Sequence, residues 1–353
     1  MISQRSAALA GALLLSACSG GHRSAPVVSP TATRGAHAAP SATAGRSPLV
    51  LLANERSGAV GVYLVGADRH ARRVRLLLPP EGADASGYGG LALSSGPSPT
   101  TCVLWTRSGI EGLGHNEIRC YVWGDATGHQ VDELTEDLAL RPDGGAIAWT
   151  VSEQEDQEDQ TLVRATLGAG RPGPSNRQPL VAEDGTRSDF GCGNWIAGVE
   201  WAGPSELLLH CSGDNDASGV FVLQDLSTHA AARDVRELHS GRYNEYRWLS
   251  DVRDGTALGV EAEFCDNICD TPGPQAGARA VRMSLRTGAV VEVIATPLPG
   301  RDVTQVSGGL RGVLYVTSGS DADRVYLRLP GEKHGVQVTG LPVGTQGVIA
   351  QPS

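Results

Sequence analysis

One unit of sequence recurs six times along this chain, and that repetition limits the fold more than any other property. Each unit reads as an apolar segment, a polar loop, a second apolar segment, a glycine-bearing turn and a third apolar segment. The first two segments and their loop occur at Leu49–Gly66, Cys102–Trp123, Ala146–Leu167, Glu206–Leu226, Ala257–Leu285 and Val313–Leu329. The third segments are RRVRLLL, HQVDEL, RQPLV, RDVREL, VVEVI and GVQVTGL. Short Val- and Leu-rich runs bounded by turn residues are strand signals, and helical periodicity is nowhere sustained. Repeats of about 40–60 residues with several strands each point to blades arranged radially, not to a solenoid.

A further apolar run leads into all copies but the first, and in the clearest cases it ends in a tight turn: Leu138–Gly145, Val199–Ser205 and Trp248–Gly255. The first copy lacks this leader, whereas the chain ends in a spare run, Gly344–Gln351. A ring accounts for both. The expected fold is an all-β, six-bladed β-propeller over residues 49–353, its first blade closed by the C-terminal strand. Seven blades is the nearest alternative count, and an irregular two-sheet β protein the alternative architecture. The stretch LALRPDGGAIAWT (138–150) resembles the SPDG repeat of TolB-like and WD-type propellers, with Arg141 where that family usually has Ser. Pro presets φ and Gly accepts positive φ in such a turn.

The N-terminus carries a different signal. Arg5, the apolar run Ala7–Leu15 and the small residues before Cys18 form a secretory leader. Leu15-Ser16-Ala17-Cys18 resembles the lipobox of bacterial lipoproteins, and the resemblance implies removal of residues 1–17 and lipidation of Cys18. The apolar run is shorter than the roughly 20 residues that span a bilayer, so the expected attachment is a lipid on the outer face of the cell membrane. Residues 18–48 are Ser-, Ala-, Gly-, Pro- and Thr-rich and cannot bury a core; they read as a tether.

Setting Cys18 aside leaves six cysteines, Cys102, Cys120, Cys192, Cys211, Cys265 and Cys269. An even number in an exported chain favours disulfides, and proximity favours 102–120, 192–211 and 265–269. The spacing of Cys265 and Cys269 is not that of a zinc knuckle.

The chain's net charge of −10 is unevenly spread. The loops between the first and second segments of each copy hold sixteen acids against five arginines, whereas everything else nets +1. In propellers of this kind those loops open on one face. Such a field draws cationic ligands, basic protein segments or divalent cations, and repels nucleic acid. The Asp-x-Asp pairs Asp214/Asp216 and Asp321/Asp323 recur at equivalent places in two copies; with Asp266 and Asp270 they are the candidate ligand face. Paired carboxylates can hold Ca²⁺ through oxygen, although neither pair continues as an EF-hand, and solubility alone accounts for the acid–amide run Glu153–Asp159.

No G-x-S-x-G elbow, H-E-x-x-H helix or phosphate-binding G-x-x-x-x-G-K-[ST] occurs. His115 and His210 fall near the face loops, without ligand spacing. Six tryptophans lie in or beside predicted strands, where packing between blades explains them, and Trp195 is the one to examine for exposure. The expected function is a non-catalytic, monomeric binding or scaffold module, acting through an acidic face on an envelope protein or cationic ligand. The alternative is a metal-dependent lactonase- or sugar-dehydrogenase-like propeller, which would bring carboxylates of several blades together near the axis.

Overall fold

The computed structural model describes residues 49–55, 57–81, 83–85, 90–107, 115–124, 127–133, 135–152, 160–167, 178–179, 195–212, 220–226, 233–235, 245–262, 277–309, 311–320 and 323–350. All lie in one compact unit, Arg46–Ser353. The expected leader, Cys18 and tether lie outside the described residues. So do Cys192, Cys265, Cys269, Asp214, Asp216, Asp266, Asp270 and Asp321.

Every described element is a β-strand, and antiparallel strands follow one another in chain order. The first group is β1 (Leu49–Asn54), β2 (Val60–Val65) and β3 (Ala71–Leu77). The second holds β4 (Ala83–Ala85), β5 (Leu91–Leu93), β6 (Thr101–Arg107), β7 (His115–Tyr121) and β8 (His129–Glu133). Next come β9 (Thr135–Leu140), β10 (Ala146–Ser152), β11 (Gln160–Thr166) and β12 (Gln178–Pro179), then β13 (Trp195–Gly203), β14 (Glu206–Ser212), β15 (Val220–Asp225) and β16 (Arg233–Val235). The last groups are β17 (Glu245–Arg253), β18 (Thr256–Ala262), β19 (Arg279–Ser284) and β20 (Val290–Ala295), and β21 (Arg301–Gly309), β22 (Gly312–Gly319), β23 (Arg324–Arg328) and β24 (Val336–Gln337). The final strand, β25 (Gln346–Ala350), pairs antiparallel with β1, Leu52 opposite Ile349.

Among the described residues these strands sort into six sheets, which gives an all-β propeller arrangement and not two large sheets. The first two segments of the six copies are β1–β2, β6–β7, β10–β11, β14–β15, β18–β19 and β22–β23. In the second copy β4 and β5 both pair with β6, at opposite ends.

The apolar alternation of each strand is buried between sheets, not within them. Leu104 and Ile118 of the second sheet pack on Ile147 and Trp149 of the third; Ala148 and Leu162 pack on Trp201 and Leu207 of the fourth. The same occurs between the fourth and fifth sheets, between the fifth and sixth, and between the first and second. Leu314 and Val325 of the sixth pack on Leu51 and Tyr63 of the first. Trp105 and Trp149 are fully buried, as packing between blades requires, and removing such a ring costs about 3–5 kcal/mol.

Cys102 and Cys120 face each other across β6 and β7 and are joined by a disulfide. The Pro142-Asp143-Gly144 turn closes the β9–β10 hairpin: Gly144 has φ +73°, and its N–H donates to the Arg141 carbonyl at 2.8 Å. Arg141, the departure from the SPDG pattern, links this turn to the next sheet. Its guanidinium donates to Asp143 at 2.7 Å and to the Pro204 carbonyl at 3.2 Å, and lies over the Trp201 ring. The Arg141 hydrogen bond holds the Asp143 carboxyl below its usual range.

Candidate functional site

The innermost strand of each sheet faces a narrow axial channel. Residues of β5, β9, β13, β17, β21 and β25 all line its cavity of about 60 Å³. Backbone groups of these strands would be unsatisfied on that side, and side chains of neighbouring sheets meet several of them. The Val199 N–H donates to Asp137 Oδ2 at 2.7 Å, the Val348 N–H to Gln305 at 2.9 Å and the Ala350 N–H to Ser307 at 2.8 Å. Ser250 Oγ donates to the Val306 carbonyl at 2.8 Å. This lacing explains why a channel wall made of strands carries polar residues at all.

Three carboxylates from consecutive sheets enter this wall: Asp137 on β9, Glu200 on β13 and Asp251 on β17. Two have structural partners. Asp137 holds β13 through Val199. Asp251, in the left-handed region at φ +45°, accepts from Arg253 at 2.7 Å and from Arg282 at 3.3 Å, both through Oδ2. Burial raises its pKa, and the two arginines oppose that rise. The Glu200 carboxyl has neither a hydrogen bond nor an ion pair among the described residues. Protein surrounds it, and the surface it retains is channel wall. Desolvation, then the charges of Asp251 and Asp137, push its carboxyl up to about 8. A smaller void of about 30 Å³ behind it joins Glu200 and Asp137 to His210 on β14, whose pKa burial lowers.

An unpartnered carboxyl flanked by two others can take up a proton near neutrality or bind a cationic group, whose charge relieves the mutual repulsion. Among the described residues no three of His, Cys, Asp and Glu gather closely enough to hold a metal ion.

The loop acids stand differently. Most lie outside the described residues. Of those described, Glu55 accepts from Arg73 at 3.0 Å and from Tyr63 at 2.6 Å, Glu261 accepts from Arg279 at 2.7 Å, and Glu117 pairs with Arg119. Asp323 precedes β23 and is half-buried. Glu117, Glu261, His115 and His210 belong to strands, not loops, because the strands extend beyond their apolar runs. Cys211 is a strand residue of β14 and Trp195 opens β13; their side chains lie outside the description. Sequence reasoning passed over Asp137, Glu200 and Asp251. The available signal was an acid in or just before the leader run of three successive copies.

No family model matches this chain, and no curated protein matches it. Solved structures do. TolB from Acinetobacter baumannii superposes with a TM-score of 0.55 at 9% identity, covering 87% of this chain and 67% of that one. A putative TolB from Agrobacterium tumefaciens gives 0.50 at 13% identity, covering 86% and 92%. A puromycin hydrolase gives 0.48 at 13% identity, covering 84% of this chain and 54% of the hydrolase. At these identities the likeness is one of fold: the chain has a TolB-like β-propeller fold.

Proposed function

We propose that this chain is an exported, lipid-anchored β-propeller that binds a cationic group of an envelope protein or other ligand, without catalysing a reaction. In this reading the six sheets are six blades, and β25 completes the first. Residues 1–17 are the leader, Cys18 carries the lipid, and residues 18–48 tether the propeller to the membrane. The observation that carries the binding assignment is Glu200, an unpartnered carboxyl in the channel wall beside Asp137 and Asp251. The loop acids Asp214, Asp216, Asp266, Asp270, Asp321 and Asp323 would add negative charge that steers a basic partner toward the domain. The structural likeness to TolB propellers supports a binding module.

The test is capture of partners from envelope extract by the detergent-solubilised full chain, beside Glu200→Gln and a variant neutralised at Asp214, Asp216, Asp321 and Asp323. Loss of a partner in either variant, with the melting temperature kept, supports cation binding. Equal recovery by all three proteins overturns it. Incorporation of a fatty-acid probe by the wild type and not by Cys18→Ala tests the anchor separately. Calcium-dependent turnover of a lactone would instead establish the enzymatic alternative.

A further inference from the structure

A second recess lies between the fifth and sixth sheets, and its character is opposite to that of the channel. Arg253, Arg282 and Arg328 line a cavity of about 260 Å³, close to the roughly 300 Å³ at which small-molecule pockets begin. Ile294, Val313 and Leu329 supply an apolar wall. Three guanidiniums here face two carboxylates: Arg253 and Arg282 share one oxygen of Asp251, and Arg328 donates to Glu292 at 2.7 Å. Three arginines and one glutamate, Glu292, are the charged residues of its lining, in a chain whose net charge is −10.

Arg282 is the least satisfied of the three. A guanidinium offers five N–H donors. The hydrogen bonds of Arg282 go to Thr256 Oγ1 and Asp251 Oδ2, both at 3.3 Å, beyond the usual N–H···O range of 2.7–3.2 Å. Its side chain is only 16% exposed, and part of that surface lines the recess. The Arg328 side chain, 17% exposed, is fixed on the other side by the Glu292 carboxylate and by the Glu332 carbonyl at 2.8 Å. A partly buried cation with long hydrogen bonds, beside an apolar wall and a sizeable void, is suited to an anion that can form a fork-to-fork contact.

We infer that this recess binds a small organic anion, a carboxylate or a phosphate monoester, through Arg282, with the ligand's apolar part against Ile294 and Val313. The inference stands whether or not the channel binds cations. The experiment is titration calorimetry of the full chain in detergent with methyl phosphate and with acetate, at constant ionic strength. Two variants accompany it: Arg282→Gln, and Val313→Phe, which fills the recess and keeps every arginine. The expected result is saturable one-to-one binding of at least one anion, weakened about tenfold or more in both variants. Tighter binding of methyl phosphate identifies phosphate as the chemistry, and tighter binding of acetate identifies carboxylate. No saturable heat with either anion overturns the assignment, as does undiminished binding by a folded Arg282→Gln. Should Arg282→Gln fail to fold, the Val313→Phe result decides in the same way.

Discussion

The channel and the arginine-lined groove between the fifth and sixth sheets meet at a single residue, and what separates them is which charges have partners. In the channel three carboxylates converge, and Glu200 has no counter-ion. In the groove three arginines converge, with two carboxylates between them. Asp251 belongs to both: it lines the channel, and its Oδ2 holds Arg253 and Arg282 of the groove. Its negative charge raises the cost of ionising Glu200 on one side and neutralises a cation on the other. Converging like charges do not by themselves define a site. A group whose charge is not fully matched does, and each region holds one: Glu200 in the channel, and in the groove Arg282, which shares its carboxylate with Arg253.

The sharpest way to break this contrast is to remove the charge of Glu200. Desolvation, Asp251 and Asp137 raise its carboxyl from the ordinary 4.5 to about 8, and His210 lines the void behind it. Between those values the unfolded chain releases the proton and the fold retains it. The wild type therefore loses stability as pH rises from about 4.5 to 8, and the penalty is constant above that. The full shift corresponds to roughly 5 kcal/mol at 1.36 kcal/mol per pH unit, and channel solvent reduces it. Glu200→Gln should be more stable than wild type by about 3 kcal/mol at pH 9, with the gap closing toward pH 4. Urea unfolding across that range measures it. A gap that does not change with pH would mean Glu200 has a counter-charge and the channel is not unmatched.

Asp251→Asn tests the shared residue. It leaves two guanidiniums, 26% and 16% exposed, without their carboxylate, and should cost about 2 kcal/mol at pH 6, less than a fully buried pair would. At pH 9 the cost should shrink, because Glu200 is then ionised and loses its main repulsive neighbour. Carboxyl ¹³C NMR should show the Glu200 midpoint falling below 8 in this variant. An unmoved midpoint would separate the two regions electrostatically.

Much of the scaffold was legible in the sequence. The repeated runs correspond to strands, Pro142-Asp143-Gly144 to a turn, and the proximity of Cys102 to Cys120 to a cross-strand disulfide. The charged sites were not, because both depend on packing between copies. Asp137, Glu200 and Asp251 are each about 50–60 residues apart and come together only when three sheets stack around an axis. Glu261 sits eighteen positions before Arg279 in sequence yet directly opposite it in the β18–β19 register. Glu117 and Arg119 share a strand face through the two-residue period. Counting acids by loop therefore overstated the unpaired charge of the described face, and the acid-bearing inner strands were read only as apolar runs.

Asp137→Asn asks how much of the channel's repulsion is local. The amide oxygen can still accept the Val199 N–H, so the fold should lose less than about 1 kcal/mol. The Glu200 midpoint should fall, but by less than in Asp251→Asn, since Asp251 contributes the larger repulsion. The reverse order would move the centre of the site toward the third sheet.

The smallest effect belongs to the groove's other carboxylate. Glu292 is 46% exposed, and an ion pair so open to solvent contributes about 0.5 kcal/mol or less. Glu292→Gln should leave the melting curve within that margin while removing a carboxylate that competes with an incoming anion for Arg328. Anion affinity by calorimetry should then rise about two- to fivefold, a change of well under 1.4 kcal/mol. Glu200→Gln relieves repulsion in the channel by removing a carboxylate, and Glu292→Gln raises the net positive charge of the groove by the same operation. If the affinity is unchanged, Arg328 belongs to the scaffold of the sixth sheet, and Arg282 alone carries recognition in the groove.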